Sequence, residues 1–123
     1  MRSAFWDDHQ RDMQDPEYAR EFAAESIRTR TIDEVINTLG AALGESGLSK
    51  AALARAIGSD PAVVRRLFNA DSVNPTLGTL TEIAAALGMK VTLEPMGIAE
   101  REAITKPMVA AATVKTPKAL VAA

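Results

Sequence analysis

Two adjacent arginines, Arg65 and Arg66, are the side chains of this sequence best equipped to grip an anion or the edge of a base. A guanidinium stays charged and presents a planar fork of donors. Around them, between residues 49 and 76, stand Ser49, Lys50, Asn69, Ser72, Asn74 and Thr76, all able to donate to phosphate oxygens. A second set lies near the N-terminus: Phe5, Trp6, Tyr18 and Phe22, four of the five aromatics, among Asp7, Asp8, Asp12, Asp15 and Glu17. Aromatic side chains anchor protein interfaces, and carboxylates complement a basic partner.

Catalytic chemistry finds no comparable set. His9 is the only histidine, and nothing near it in sequence completes a triad or a metal site, so it reads as an ordinary exposed residue of an N-terminal arm. The early aspartates lack the spacing and central glycine of a calcium loop, and there is no glycine-rich phosphate loop. With no cysteine, a thiolate site and a disulfide scaffold are both excluded. The expectation is a binding protein with no catalytic residue, metal or cofactor.

Those residues must be positioned by a small structure. The chain has 123 residues, room for one modest core, and 47% of them are hydrophobic. Much of that fraction is alanine, which favours closely packed helices. No apolar run approaches the ~20 residues that span a bilayer, and the acidic start is unlike a signal peptide, so a cytoplasmic protein without a membrane role is expected. The net charge of -2 gives no overall attraction to nucleic acid. Its distribution is uneven: residues 48–75 carry four cations against two aspartates, and residues 1–31 five arginines against seven carboxylates. A nucleic-acid binder needs a basic face rather than a basic total.

Helix signals recur along the chain. Residues 1–14 show no period and read as a loose arm. Asp15-Pro16-Glu17 then combines a cap, a proline suited to the first turn and a carboxylate at the positive helix end. Thr31 with Glu34 matches a capping box, followed by Ile32, Val35, Ile36, Leu39 and Leu43 at helical spacing. Ser49 opens a short helix whose apolar face is Leu53, Ala56 and Ile57, and Gly58 closes it. Asp60-Pro61 starts another helix, carrying Val64, Leu67 and Phe68. Thr76 caps one with Leu80, Ile83, Ala84 and Leu87, ended by Gly88. Lys90-Val91-Thr92-Leu93-Glu94 alternates with period two before Pro95 and reads as a short strand, which needs a partner such as its symmetry mate in a dimer. From Gly97 the chain is rich in Ala, Lys, Thr and Pro. Lys106, Lys115 and Lys118 there suit a solvated extension or a weak phosphate-binding arm.

A helix at 49–57, a turn at 58–60 and a helix at 61–69 have helix-turn-helix spacing, which alone does not separate that motif from an ordinary helical hairpin. Residues 48–88 add more. Leu48, Ser49, Leu53, Ala54, Gly58, Val64, Leu67, Asn74, Pro75, Thr76, Thr79, Leu80, Ile83, Ala84, Ala86, Leu87 and Gly88 follow the pattern of the Cro/repressor-type (XRE) helix-turn-helix family, which this stretch resembles over about a third of the chain. A DPEYA-like helix before the domain and a short strand ending in proline after it resemble antitoxins of the HigA type.

The resemblance implies an all-α, five-helix Cro/repressor-like domain with an N-terminal helix and a short C-terminal β-strand. Residues 1–30 would be an arm and helix contacting a partner, 31–96 the DNA-binding domain with its strand, and 97–123 a flexible tail. It also implies double-stranded operator DNA, a cognate small basic toxin and a homodimer as partners. Base contacts would come from Pro61, Ala62, Arg65 and Arg66, and phosphate contacts from Ser49, Lys50, Asn69, Ser72, Asn74 and Thr76. Phe5, Trp6, Tyr18 and Phe22 would bind the partner. The chain departs from the family pattern at Pro61 and Ala62, which offer only apolar contact, and at Ala70, where a glycine is usual. Asp60 and Asp71 would repel phosphate unless they serve as a cap and a loop brace.

Three readings follow: an antitoxin, a stand-alone or phage-type repressor, and an interaction module with degenerate DNA binding. Plainer roles stand beside them, Arg65 and Arg66 solubilising a helix and the aromatics packing the protein's own core.

Overall fold

The computed structural model describes residues 4–69 and 74–113. Within them regular structure is helical, with no strand: α1 (Ala4–Asp12), α2 (Pro16–Ser46), α3 (Lys50–Ala56), α4 (Pro61–Asn69), α5 (Leu77–Ala86), α6 (Ile98–Glu100), a π-helical turn (Arg101–Thr105) and α7 (Lys106–Ala112). The chain divides into two compact units, residues 30–94 and residues 1–29 with 95–123.

The 30–94 unit is built on one apolar cluster. Leu39 and Leu43 of α2, Leu53 and Ala54 of α3, Val64 and Leu67 of α4, and Ile83 and Ala84 of α5 are buried together, with Val35, Ile36, Ile57, Phe68, Leu80 and Leu87 packed around them. Leu53, Val64 and Ile83 are wholly excluded from solvent. Burying such a side chain is worth roughly 1.5–3 kcal/mol, so these few positions dominate the stability of a small unit. The short helices are bounded by capping chemistry read directly from sequence. Ser49 Oγ accepts from the Ala52 amide at 3.0 Å and Thr76 Oγ1 from the Thr79 amide at 3.1 Å. After α3, Gly58 at φ +64° turns the chain, and the Ser59 amide reaches back to the Ala54 carbonyl at 2.9 Å. Such a left-handed exit suits glycine because other residues meet a Cβ clash there.

The remaining unit holds α1, the start of α2 and the 98–112 helix. Residues 4–12, read from sequence as part of a loose arm, are helical instead. Asp15 then caps α2, its carboxylate accepting from the Glu17 amide at 3.0 Å, as Asp15-Pro16-Glu17 indicates. The 98–112 helix buries Ile104 and widens into its π turn just before Pro107. Proline has no N–H for the bond to residue 103 and its ring crowds that carbonyl. The Lys106 amide bonds instead to the Arg101 carbonyl, five residues back.

Further sequence expectations require correction here. The capping box at Thr31 does not start a helix, because α2 runs unbroken through it. No glycine or proline interrupts residues 25–36, and continuing the ladder satisfies the backbone groups that a break would leave without partners. The five-helix count fails partly for that reason. The strand at 90–94 is absent too: residues 89–97 are irregular, and no backbone hydrogen bond among the described residues involves 90–94. Alternation prepares a strand, but a ladder needs a second one, and this chain supplies none.

Candidate nucleic-acid interface and aromatic cluster

α3 and α4 pack on each other and present Arg55, Arg65 and Arg66 to solvent, with no ion-pair partner among the described residues. Their outward direction follows from helical spacing. Val64 and Leu67 take the inner face of α4, leaving Arg65 and Arg66 on the other side. Pro61 and Ala62, at the start of the same helix, are half-buried.

The amides at that start are already engaged. Pro61 has none, and Ala62 donates to Asp60 Oδ1 at 2.8 Å. Asp60 therefore acts as the cap, and its carboxylate occupies the position where amides at a helix start would otherwise receive a phosphate. What α4 leaves open to solvent is its arginine face rather than its amino-terminal amides.

Of the residues expected to meet phosphate, two are brought together: Lys50 Nζ donates to Asn69 Oδ1 at 2.9 Å, tying the start of α3 to the end of α4. The amide oxygen is uncharged, so this bond leaves Lys50 without an ion-pair partner among the described residues. The hydroxyls of Ser49 and Thr76 hold their helices as caps, and Thr76 also donates to Thr79 Oγ1 at 3.0 Å. Asn74 is exposed. Ser72, Ala70 and Asp71 lie outside the described residues. Arg55 is the exposed cation that sequence reasoning passed over; its place opposite the buried Leu53–Ala54 face of α3 was the available signal.

Residues 39–93 match the family model described as helix-turn-helix. Over these residues the chain is similar to that family, in keeping with the Cro/repressor-type pattern of its sequence. The match supports a DNA-binding regulator of transcription, and it extends on both sides beyond the bare α3–α4 hairpin. No curated protein and no solved structure matches the chain significantly. None of the helices among the described residues is long and apolar enough to cross a membrane.

The four aromatics outside the helix-turn-helix gather in the other unit, and they gather around His9. Its ring lies 4.5 Å from that of Phe22, 5.8 Å from Tyr18, 6.1 Å from Trp6 and 6.2 Å from Phe5. His9 Nδ1 and Tyr18 Oη are 3.0 Å apart, a hydrogen bond whose donor depends on the imidazole tautomer. The reading of His9 as an ordinary exposed arm residue is thus corrected: it is half-buried at the centre of the cluster. The signal was present in the spacing, since Phe5 and His9 are four apart and share a helix face once residues 4–12 are helical. The cluster is only half finished as a core. Phe5 is 65% exposed, Trp6 56% and Phe22 45%, although nearby Ala19 and Ala23 are buried.

Charges here are settled locally. Arg11 pairs with Asp8, Arg20 with Glu17 and Glu21, and Arg28 with Glu25. The hydrogen bond from Arg20 holds the Glu17 carboxyl below its usual range, and the same bond raises Arg20. Asp12 and Asp15 add negative charge with no such cation beside them among the described residues.

Proposed function

We propose that the protein is a DNA-binding antitoxin: it represses its own operon through the helix-turn-helix, as a homodimer, and neutralises a small basic RNA-cleaving toxin through the aromatic cluster. The observation that carries the reading is an open aromatic surface with acidic surroundings, built from residues separate from the helix-turn-helix. Exposed aromatic rings are costly to leave in water, and they become anchors when a partner covers them. In this reading Arg66 contacts a base, Arg65 supports it from the next position, and Lys50 with Arg55 neutralises phosphate. The protein binds and blocks, and catalyses nothing.

The test is co-expression with the product of the adjacent reading frame, followed by size-exclusion chromatography with light scattering. A stable mixed complex, lost in the combined Phe5→Ala, Trp6→Ala and Phe22→Ala variant while its circular dichroism remains native, supports the antitoxin reading. A folded neighbour that ignores the wild-type chain removes it and leaves a stand-alone repressor. On the DNA side, Arg66→Ala should lose roughly 1–3 kcal/mol of discrimination for the upstream sequence. Lys50→Ala should weaken all sequences alike and reduce the salt slope by about one.

One observation favours a second reading. Asp60 fills the amino end of α4, and Pro61 and Ala62 bring no polar group to a base edge. A module that has kept the fold and lost sequence-specific binding would show weak, sequence-independent affinity in the same titration.

A further inference from the structure

The exposed side chains of α4 and of the turn before it divide unevenly into hydrogen-bond donors and acceptors. Arg65 and Arg66 are exposed and carry donors alone. Asn69 is exposed too, but its amide oxygen already accepts from Lys50 at 2.9 Å. Asp60 is the remaining exposed polar residue between 58 and 69. Its Oδ1 accepts from the Ala62 amide at 2.8 Å, which holds the carboxylate over the start of the helix. Among the described residues Asp60 makes no other side-chain hydrogen bond and no ion pair. Its second oxygen is therefore the exposed side-chain acceptor of this stretch that has no protein partner.

Capping by itself does not call for a carboxylate, since asparagine and serine accept the same amide about as well. Beside an arginine face turned to DNA, the negative charge opposes phosphate unless it meets a donor. The major groove presents two kinds of amino donor, N4 of cytosine and N6 of adenine. Adenine sets its N7 lone pair beside the amino group, where a carboxylate is repelled. Cytosine has a C–H in the neighbouring position and repels nothing.

We propose that Asp60 is a specificity-determining residue of the helix-turn-helix, its second carboxylate oxygen accepting from the N4 amino group of a cytosine. The start of a recognition helix is the part that meets base edges. Arg66, a donor, selects acceptors such as guanine O6 and N7, and Asp60 selects the opposite kind of edge. Six residues at a rise of 1.5 Å put the two ~9 Å apart along α4, about two to three base pairs. Asp60 thus brings a polar reader to the end of α4 where Pro61 and Ala62 bring none. The inference rests on the DNA-binding reading and deepens it by naming a base and the residue that chooses it.

A duplex pool with a randomised centre is selected with full-length wild type, Asp60→Asn, Asp60→Ser and Arg66→Ala, and the bound duplexes are sequenced. Wild type should enrich cytosine at one position roughly tenfold over the other bases. That position should lie within about three base pairs of the guanine whose preference Arg66→Ala loses. Asparagine and serine both keep the cap, so both Asp60 variants should show native circular dichroism. Asp60→Asn should lose the roughly tenfold cytosine preference and turn toward adenine, whose N6 and N7 suit an amide. Asp60→Ser should leave the position nearly indifferent, and the guanine preference should survive in both.

An Asp60→Asn chain that binds all sequences more tightly, with the cytosine preference intact, overturns the inference and leaves the carboxylate a cap that repels phosphate. An Asp60-dependent position that prefers adenine in wild type overturns the assignment to cytosine. Where Arg66→Ala alone alters base choice, this inference falls and the DNA-binding reading stands. A wild-type chain that binds no duplex removes both.

Discussion

The arginines of the two units are treated in opposite ways. In residues 4–29 Arg11, Arg20 and Arg28 each have a carboxylate one turn away on the same helix. On α3 and α4 Arg55, Arg65 and Arg66 have none among the described residues. Exposed ion pairs of the first kind add little stability, but they cancel the field that a cation would project. Cations of the second kind keep that field for a ligand. The apolar side chains show the reverse contrast. The helix-turn-helix unit hides Leu53, Val64 and Ile83 completely, while the aromatic unit leaves Phe5, Trp6 and Phe22 about half in water. One unit has a finished core and an unfinished charge pattern; the other has paired charges and an unfinished apolar cluster. Each leaves open the kind of interaction it has not completed internally.

The largest effect that tests this contrast is on stability. Leu53→Ala should cost about 2–5 kcal/mol in urea unfolding followed by circular dichroism, because it empties a sealed site. Phe5→Ala, at a ring mostly in water, should cost about 1 kcal/mol or less. Equal losses would mean that the aromatic cluster is as much a core as the apolar one, and the contrast would fail.

A smaller effect belongs to the caps. Ser49→Ala and Thr76→Ala should each cost about 1 kcal/mol by the same measurement, from an amide left without its acceptor. Ser49 also stands in the candidate phosphate set. A loss of DNA affinity larger than the loss of stability explains would show that its hydroxyl serves both purposes.

The smallest effect is electrostatic and confined to the aromatic unit. Glu17 has a lowered carboxyl value in the folded chain through its bond from Arg20. Its stabilisation is therefore present above the ordinary carboxylate range and is lost as pH falls through the lowered value. The pair is fully exposed, so the change should be slight, absent in Glu17→Gln and reduced by salt. Titrating the urea midpoint into acid in both chains measures it. A Glu17→Gln chain with the same acid profile as wild type would show that the pair contributes nothing.

How much of this was legible depended on the range of the interaction responsible. Ser49, Thr76 and Gly58 announce helix ends through bonds made within a few residues, and the structure has those ends. Leu53, Val64, Leu67 and Ile83 are legible as core because their spacing puts them on one face. Thr31 misled because a capping box states only that a helix can begin there, and nothing forced the chain to break. His9 was passed over because its partners at 18 and 22 lie on another helix, and α1 itself was not apparent without a period. At the interface, Arg65 and Arg66 were visible as residue types. The engagement of the α4 amides by Asp60, and the bond between Lys50 and Asn69, were not.

The sequence by itself determined the helix-turn-helix, since caps, glycine exits and a 3.6-residue apolar rhythm act locally and add up within each short helix. Only the tertiary structure decided which polar groups were already spent, and that an arm without periodicity would fold its aromatics around a histidine. Those outcomes depend on side chains brought together from separate helices, and helical periodicity describes one helix at a time.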